Sequence, residues 1–496
     1  MDRSTLKIVL TLTIICISLV TFAQGKEPLN VLLIISDDLN TRIGPYMDLD
    51  DHTPNLNRLA SEGVQFTRAY CQYPLCGPSR ASLMSGLYPE TNGVLGNQYV
   101  RGSYRGTTPT LSQHPTLAGF FREQGYFTAR VSKIFHMGVP GGIERGEAGD
   151  DDPDSWDYAY NVMGPETLSP GQLELLSPKN NHYGSNFARM ILNDEEATTQ
   201  TDYLTTNQAL AILQSRAKKA APEATNKVKI KPDAPFFLAV GMVRPHVPFI
   251  APESCFAPYP EEEVELPEVK VGDNVPQEAL RSQNEKRWGM DELQKKQTIS
   301  AYMASVQFMD QQVGRLLNAL DRLQIRDNTI VVFISDHGYN LGAHDCWSKV
   351  SLWEGSVRVP MIISDPLSSS NQGAICQSVT ELIDLYPTLT ELCGLADQQP
   401  EILQGKSLAG FLRGNETKNQ DKWAYSITYG GMGATIRSDR FRYTRWESKT
   451  NETNEELYDH QSDPEEHINL TDTPKYNEIL GMARKKMDEM RARAKK

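Results

Sequence analysis

Residues 30–38 have the sequence NVLLIISDD, a continuous apolar run that ends in a serine and two aspartates. An uninterrupted apolar run is typical of a central parallel strand, because helices cover both faces of a parallel sheet. The pattern returns in residues 329–338, TIVVFISDHG, where the run ends in Asp336 and His337. The carboxyl ends of parallel strands lie at one edge of a sheet. If the two strands are near neighbours, their terminal side chains converge at that edge.

The surrounding sequence predicts an α/β fold in which strands alternate with helices. Further strand candidates span residues 126–131 and 235–241, and apolar residues recur at helical spacing in residues 302–320. Residues 117–124 form a shorter helix candidate that Gly125 closes. We therefore expect a large, mostly parallel or mixed sheet that is sandwiched by helices.

A chain of 496 residues is too long for one small core, so we expect a second, smaller domain. We predict that the main α/β domain spans residues 24–398 and that residues 399–496 form a C-terminal α+β subdomain. Strand candidates at residues 424–429 and 434–446 predict a small antiparallel sheet in that subdomain.

Acidic side chains at the two strand ends predict a metal site. Asp37, Asp38 and Asp336 would repel one another at a single point, and a divalent cation removes that repulsion. Oxygen-rich ligation favours calcium or magnesium, whereas a histidine ligand, His337, leaves manganese or zinc open. The alternative interpretation is that these residues are separate helix caps or turn residues, because aspartate is common after strands.

Basic side chains follow the other two strand candidates. Lys133 and His136 come after one of them, and Arg244 and His246 come after the other. A short glycine-containing loop separates Lys349 from the strand end that carries Asp336. Taken singly, each is typical of a surface lysine or a structural histidine. Together they place positive charge and proton donors on the rim where the metal site is expected.

Residues 76–86, CGPSRASLMSG, place a cysteine at the start of a helix-compatible run that ends at Gly86. A cysteine at a helix N-terminus, four residues before Arg80, lies in a positive field that lowers the thiol pKa and attracts anions. The alternative is a half-buried cysteine in a loop or a disulfide. Outside residues 1–23 the chain has six cysteines, and their spacing does not give a pairing.

Residues 1–23 have the pattern of a secretory signal peptide: a basic start, an apolar run and small residues before the cleavage position. An uncleaved anchor is the alternative. We expect a secreted or periplasmic protein with no membrane association after cleavage. The formal net charge of −13 argues against general nucleic-acid binding. The acidic residues 150–154, DDDPD, predict a solvated loop, with a calcium loop as the alternative.

Residues 76–86 resemble the signature of the type I, formylglycine-dependent sulfatases of the alkaline phosphatase superfamily, C-x-P-S-R-x-x-x-[LM]-[TS]-G. Within that family the likeness is greatest to the iduronate-2-sulfatase branch. The segments that carry it are residues 133–136, 237–246, 313–317 and 335–338. Residues 456–464 are similar to the family's C-terminal domain.

The resemblance implies that a maturase oxidises Cys76 to formylglycine (3-oxoalanine), whose hydrate is the nucleophile. One hydroxyl displaces the sugar alcohol at sulfur, and the other then expels sulfate as the aldehyde re-forms. The implied ion is Ca²⁺, with Mg²⁺ or Mn²⁺ as alternatives. Its implied ligands are Asp37, Asp38, Asp336, His337 and the oxygen derived from Cys76.

The resemblance also implies catalytic roles for basic residues. Arg80 and Lys133 match the groups that hold the hydrate and its developing charge. His136 matches the histidine that orients the second hydroxyl and takes its proton. His246 and Lys349 match the sulfate-binding pair, one of which protonates the leaving oxygen.

The implied substrate is a sulfated polysaccharide or oligosaccharide, such as a glycosaminoglycan or an algal polysaccharide. The family often has asparagine where His337 stands, although the iduronate branch has histidine. The iduronate enzymes carry arginine where Asn40 stands, so the residues near the sugar are expected to differ. Two alternatives are a formylglycine-dependent phosphodiesterase or phosphonate hydrolase, and an inactive homologue that binds glycans.

Overall fold

The computed structural model of the chain describes residues 28–47, 52–97, 104–218, 233–415, 422–447 and 453–496. The predicted signal peptide, residues 1–23, lies outside the described residues. The strands are β1 (Asn30–Ser36), β2 (Val64–Tyr70), β3 (Phe127–Ser132), β4 (Tyr158–Tyr160), β5 (Glu174–Leu175), β6 (Ala188–Leu192), β7 (Phe236–Gly241), β8 (Phe249–Pro252), β9 (Thr329–Ser335), β10 (Asn340–Leu341), β11 (Trp347–Ser348), β12 (Arg358–Val359), β13 (Met361–Ser364), β14 (Ala374–Glu381), β15 (Ala424–Thr428), β16 (Gly433–Arg437), β17 (Phe441–Glu447) and β18 (Thr453–Asp459).

The strands are interleaved with α-helices and short 3₁₀ turns. The helices are α1 (Gly44–Met47), α2 (Pro54–Ser61), α3 (Cys76–Ser85), α4 (Pro89–Asn92), α5 (Pro109–Gln113), α6 (Leu117–Glu123), α7 (Gly141–Glu144), α8 (Thr201–Ala217), α9 (Glu253–Phe256), α10 (Asn284–Arg287), α11 (Glu292–Arg322), α12 (Glu354–Val357), α13 (Leu385–Leu392), α14 (Ala409–Leu412) and α15 (Asn477–Arg493). Among the described residues, no helix is both long and apolar enough to cross a membrane.

A mixed sheet forms the centre of the molecule. Its strand order is β12-β2-β13-β9-β1-β7-β3-β4, and β14 also pairs with β2. The run β9-β1-β7-β3-β4 is parallel throughout, whereas β13 is antiparallel to both of its neighbours, β9 and β2. The expected large α/β sheet is therefore confirmed, and the two apolar runs that predicted it are adjacent, parallel strands.

Both faces of this sheet are covered, as the continuous apolar runs require. In β1, Val31, Leu33 and Ile35 belong to one buried core, while Leu32 and Ile34 belong to the core on the opposite face. Helices α3, α6 and α13 contribute to the first core, and helices α2, α8 and α11 contribute to the second. This two-sided burial explains why the strand shows no alternation of apolar and polar residues.

The C-terminal region forms the expected antiparallel sheet, with the strand order β15-β16-β17-β18. The prediction of one strand over residues 434–446 was wrong, because β16 ends at Arg437 and β17 begins at Phe441. Ser438 closes the intervening turn, since its side chain accepts a hydrogen bond of 2.9 Å from the Phe441 amide. Helix α15 packs on this sheet to form a third core. The domain boundary at residues 398/399 stays a prediction.

The acidic residues 150–154 are not a fully solvated loop, which corrects that expectation. Asp151 and Asp152 are buried, whereas the Asp154 side chain is 80% exposed. Asp151 pairs with Arg130 of β3 at 2.5 Å, and Asp152 pairs with Arg105 at 2.7 Å. The two acids are buried because each meets an arginine that is distant in sequence.

The packing of α11 on α2 predicts a position that will not accept a side chain. A Cβ added to Gly314 in α11 would lie 2.2 Å from the Asn55 side-chain oxygen. Asn55 cannot move freely, because its amide donates a 2.8 Å hydrogen bond to the Asp310 carboxylate. We expect Gly314→Ala to lower the free energy of unfolding by ~1–3 kcal/mol, measured by urea denaturation.

The matched control is Gly481→Ala in α15, where an added Cβ meets nothing within 4 Å. Alanine is the better helix former, so this variant should be more stable by ~0.5–1 kcal/mol. Equal effects of the two substitutions would contradict the packing argument.

Candidate active site

Four adjacent strands carry most of the predicted site residues. The carboxyl end of β9 leads to Asp336 and His337, and that of its neighbour β1 leads to Asp37 and Asp38. The carboxyl end of β7, the next strand in the sheet, leads to His246, and that of β3 leads to Lys133 and His136. The structure brings all of these residues to one edge of the sheet. The convergence inferred from the two apolar runs therefore extends across four neighbouring parallel strands.

The carboxylates of the site are held by the backbone of the strand ends. The Asp336 carboxylate accepts hydrogen bonds from the amides of Asp38, at 3.2 Å, and His337, at 2.9 Å. Asp38 has a φ of +66°, a left-handed conformation in which aspartate is among the tolerated residues. Burial raises the pKa of Asp336, and the charges of Arg80 and His337 oppose that rise. Asp336 is thus costly to ionise without a nearby cation.

Backbone carbonyls fix the orientation of two histidine rings. His337 Nδ1 lies 2.9 Å from the Gly338 carbonyl oxygen, and His246 Nδ1 lies 2.7 Å from the Val247 carbonyl oxygen. In each ring Nδ1 donates to the carbonyl oxygen, which leaves Nε2 facing the carboxylates. His337 Nε2 is 3.2 Å from Asp38 Oδ1, and His246 Nε2 is 3.8 Å from Asp38 Oδ2.

Cys76 is the first residue of helix α3, which is buried along its whole length. The helix ends at Gly86, whose φ of +70° is a left-handed C-terminal cap. Cys76 Sγ lies 3.2 Å from Lys349 Nζ and 3.3 Å from His337 Nε2. Burial acts to raise the thiol pKa, but the charges of Lys349, Lys133 and His337 lower that pKa well below its usual value. The alternative of a disulfide is excluded in this structure, where Cys76 is a free thiol.

Arg80 and Lys133 lie beneath the carboxylates and are completely buried. Arg80 Nε donates to Asp336 at 2.9 Å, and its Nη2 lies 3.3 Å from Asp37 Oδ1. Lys133 Nζ donates to Asp37 Oδ2 at 2.5 Å. Burial and the Cys76 thiolate act to raise the pKa of Asp37, but Lys133, His246 and Arg80 together hold it below its usual range.

Lys349 comes from a loop rather than from the central sheet. The short β10–β11 hairpin precedes it, and its Nζ donates to Asp38 Oδ1 at 2.5 Å. Burial acts to lower the pKa of Lys349, but Asp38 and the Cys76 thiolate raise it well above its usual value. Lys349 is therefore a fixed cation beside the cysteine.

A divalent cation fits the residues that are present. Ligand atoms of Asp37, Cys76, Asp336 and His337 all lie within 4.8 Å of one another, and those of Asp38, Cys76 and His246 form an overlapping group. Asp38 Oδ2 is buried and has no hydrogen-bond partner among the described residues. A buried carboxylate oxygen without a donor is costly, and a metal ion supplies the missing partner. The donor set of carboxylate oxygens with one imidazole suits a hard cation.

Arg244 does not belong to the positive rim, contrary to the expectation from sequence. Its guanidinium forms a buried ion pair with Glu166 at 2.9 Å. The Asp202 carboxylate accepts hydrogen bonds from the backbone amides of Val243, at 2.7 Å, and Arg244, at 3.0 Å. These contacts fix the segment that carries His246. Sequence reasoning missed Glu166 and Asp202, because neither lies near His246 in the chain.

A cavity of about 280 Å³ opens above Cys76. His136, His246 and Lys349 line it, as expected. Its lining also includes residues that sequence reasoning missed: Asn97, His182, Arg287 and Tyr339. Asn97 accepts a hydrogen bond of 2.9 Å from the Gly77 amide at the start of α3. The cavity is large enough for a sulfate group and part of a sugar ring.

A buried cysteine at a helix N-terminus, side chains that could hold a hard cation and a cage of cations together suit the hydrolysis of an anionic ester. The fold around them is the alkaline phosphatase-like α/β fold, as expected. The sulfatase family profile matches residues 29–395, and the profile of the N-sulphoglucosamine sulphohydrolase C-terminal region matches residues 342–493. The chain belongs to the sulfatase family and is a sulfuric ester hydrolase.

Named relatives agree with this assignment. A sulfatase of Formosa agariphila is 32% identical over 90% of this chain and 84% of its own length. Human iduronate 2-sulfatase is 32% identical over 79% of this chain and 74% of its own length, which confirms the expected likeness. The solved structure of a 2-O GAG sulfatase has a TM-score of 0.67 and 25% identity, covering 95% of this chain and 93% of that one.

The buried Arg244–Glu166 pair predicts a large stability effect. Glu166→Gln keeps the side-chain size but leaves the Arg244 guanidinium buried without its bound carboxylate. We expect this variant to lose about 3 kcal/mol or more of unfolding free energy, measured by urea denaturation followed by tryptophan fluorescence.

Glu285→Gln is the matched control, because the Glu285 side chain is 79% exposed. It should change the unfolding free energy by less than about 0.5 kcal/mol. If Glu166→Gln were as mild as this control, the ion pair would not hold the His246 segment.

Proposed function

We propose that this enzyme removes sulfate from the sugars of a sulfated polysaccharide or oligosaccharide, using a formylglycine made from Cys76 and one divalent cation, Ca²⁺. The observation that carries the proposal is the position of Cys76. Its sulfur lies at the N-terminus of a buried helix, within 3.3 Å of both Lys349 and His337. Human iduronate 2-sulfatase and the 2-O GAG sulfatase, both named above, support a sulfated-sugar substrate.

The burial of Cys76 bears on how the formylglycine is made. Cys76 is only 1% exposed, and every residue of α3 is buried. A maturase therefore has to reach this segment before the chain has folded. The formylglycine hydrate supplies two hydroxyls on one carbon, which a serine at the same position would not.

The proposed metal ligands are Asp37, Asp38, Asp336 and His337, with the oxygen derived from Cys76. A divalent cation bound there would neutralise the carboxylates and draw charge from the sulfate oxygens. Ca²⁺ is proposed because carboxylate oxygens dominate the donor set, while the single imidazole keeps Mg²⁺ or Mn²⁺ as alternatives.

The basic residues divide the remaining work. Arg80 and Lys133, each fixed by buried carboxylates, hold the hydrate and the charge that develops on it. His136 lines the cavity, and burial lowers the pKa of its imidazole. A neutral His136 is therefore ready to take the proton of the second hydroxyl as sulfate leaves.

His246 and Lys349 are the proposed sulfate-binding pair. Burial acts to lower the pKa of Lys349, and the charge of Asp38, which is unchanged when Cys76 is converted, acts to raise that pKa. Lys349 therefore releases a proton reluctantly and serves as an electrostatic clamp on the sulfate. His246, with Nδ1 held by the Val247 carbonyl, presents Nε2 to the site, so we assign to His246 the donation of a proton to the leaving sugar oxygen.

The cellular setting is also a proposal. The signal-like residues 1–23 support a secreted or periplasmic enzyme that meets extracellular glycans and has no membrane association after cleavage. The acidic chain argues against nucleic acid as a partner.

Cys76→Ala should abolish sulfate release, by at least ~10⁴-fold in kcat, because it removes the proposed nucleophile. The control is Cys393→Ala, since Cys393 is a free thiol that does not line the cavity. The assay is sulfate release from a panel of defined sulfated oligosaccharides, with an aryl phosphonate included. Mass spectrometry of the Cys76 peptide should find an aldehyde in the active preparation. An active enzyme with an unmodified thiol would refute the proposal.

His337→Ala should weaken metal binding at least ~10-fold, because it removes one ligand whose orientation the Gly338 carbonyl fixes. Elemental analysis of the purified protein and calcium titration of the chelator-treated protein measure the effect. His467→Ala, a partly exposed histidine outside the site, is the control. Unchanged calcium content in His337→Ala would rule out His337 as a ligand.

A further inference from the structure

The cavity above Cys76 is electropositive, although the protein as a whole is acidic. Asp38 is the only carboxylate among the described residues that line it. Its basic lining residues are Lys349, Arg287 and three histidines, His136, His182 and His246. Lys349 and Asp38 pair with each other at the floor of the cavity. Arg287 is therefore a further positive charge that the sulfate site does not account for.

Arg287 is exposed and carries an uncompensated charge. It is the last residue of α10, and within the described part of the chain no carboxylate lies within 4.0 Å of its guanidinium. The guanidinium carbon lies 4.7 Å from the centroid of the Trp288 ring, a cation–π contact that favours one orientation. A charged side chain held in this way at a cavity wall is available to a ligand.

The segment that carries Arg287 is fixed to the loop that carries Lys349. Trp288 is completely buried, and its Nε1 donates to the Ser282 carbonyl at 3.1 Å. The same carbonyl accepts the Trp347 amide at 3.0 Å, and Ser282 Oγ lies 3.4 Å from the Lys349 carbonyl oxygen. The distance between the two cations is thus set by the scaffold rather than by a mobile loop.

The segment that carries Arg287 is also fixed by hydrogen bonds between its two ends, Asn284 and Met290. The Asn284 side chain donates to the Met290 carbonyl at 2.8 Å and accepts the Met290 amide at 3.0 Å. Lys179, from the loop that brings His182 to the cavity, donates its amide to the Trp288 carbonyl at 3.1 Å. A backbone hydrogen bond therefore joins the two segments that bring Arg287 and His182 to the cavity.

We propose that Arg287 binds a second negatively charged group of the substrate, next to the sulfate ester that is cleaved. This inference rests on the proposed function, because Cys76 and Lys349 define where the cleaved sulfate lies. The group is the carboxylate of a uronic acid or a second sulfate on the same or the adjoining sugar. A planar guanidinium forms two parallel hydrogen bonds with either oxyanion, and His182 lines the cavity beside it. Arg287 is a specificity-determining residue for acidic sulfated sugars, and it takes no part in the chemical step.

The test compares matched substrates. The first pair is a 2-O-sulfated uronic acid disaccharide and its carboxyl-reduced counterpart, in which CH₂OH replaces the carboxylate. The second pair is a neutral sugar with one or with two sulfates. An aryl sulfate that has no second anionic group, called the neutral aryl sulfate below, reports the chemical step alone. The variants are Arg287→Gln, which removes the charge, and Arg287→Lys, which keeps the charge but not the planar fork.

We expect the wild-type enzyme to prefer the member of one pair that carries the extra anion. Arg287→Gln should lower kcat/KM for that substrate by about 10- to 100-fold and erase the preference. Its kcat/KM for the neutral aryl sulfate should change less than about 3-fold. Arg287→Lys should recover part of the preference. The pair that responds identifies the second anion as carboxylate or sulfate.

The control variant is Arg281→Gln. Arg281 is an exposed arginine of the same segment, but its guanidinium lies over the Tyr429 ring, 4.5 Å from the centroid, and does not line the cavity. Arg281→Gln removes one positive charge from the same segment but leaves the cavity lining intact. The substrate preference of this variant should therefore equal that of the wild type.

The two proposals fail in different ways. If the wild-type enzyme cleaved no sulfate ester, including the aryl sulfate, the proposed function would fall. If it cleaved sulfate esters without preferring the more anionic partners, the role of Arg287 would be overturned. Equal losses on acidic and neutral substrates, or equal effects of Arg281→Gln and Arg287→Gln, would overturn it as well.

Discussion

The site depends on one buried side chain, Arg80. Its guanidinium is inaccessible to solvent and donates to carboxylates at the ends of β9 and β1. It also donates to the backbone carbonyls of Lys133, at 2.6 Å, and Ile134, at 3.1 Å, which follow β3. One residue of helix α3 therefore holds the ends of three strands. Because α3 begins at Cys76, the same contacts set the position of the reactive residue relative to the carboxylates.

Burying such a set of charges is costly unless each has a partner. Three carboxylates, Asp37, Asp38 and Asp336, face three cations, Arg80, Lys133 and Lys349. Removing any one of them leaves a charge in a medium that solvates it poorly. Replacing buried ion pairs by apolar residues of similar volume is often neutral or stabilising, so stability alone does not explain why these charges are present. Among the oxygens of these three carboxylates, Asp38 Oδ2 has no hydrogen-bond partner in the described residues, and it lies where the cation is proposed to bind.

The side chains at the strand ends were predictable from sequence, because residues that follow neighbouring parallel strands lie together at one edge of the sheet. A buried strand is recognised by its continuous apolar residues, and the side chains just beyond its end must lie at the edge of the sheet. This reasoning found Asp37, Asp336 and His246 without any knowledge of the loops. The buried Asp151 and Asp152 were missed for the opposite reason, since ion pairing with Arg130 and Arg105 leaves no local pattern.

The same limit explains the errors around His246 and in the C-terminal sheet. Arg244 is two residues from His246 in sequence, but its guanidinium pairs with the buried Glu166, 78 positions away, and does not join the positive rim. In residues 434–446, Ser438 and Asp439 are residue types that favour turns, but the strand formers on both sides of them led us to predict one strand. Arg287 has no signal at all, because its significance comes only from the cavity that distant loops build around it. Residues that act through long-range packing become visible only in three dimensions.

The cage around Cys76 also limits when that residue can change. The cations that lower the pKa of its thiol close around the sulfur only after β1, β9 and α3 have assembled. The proposed maturase would therefore act on the chain while this field is absent, when the thiol has its ordinary pKa. Lys349 and His337, 3.2 and 3.3 Å from Sγ, are at distances that also suit hydrogen bonds and ligation to an oxygen. These distances support the proposal that Cys76 is the precursor of a formylglycine.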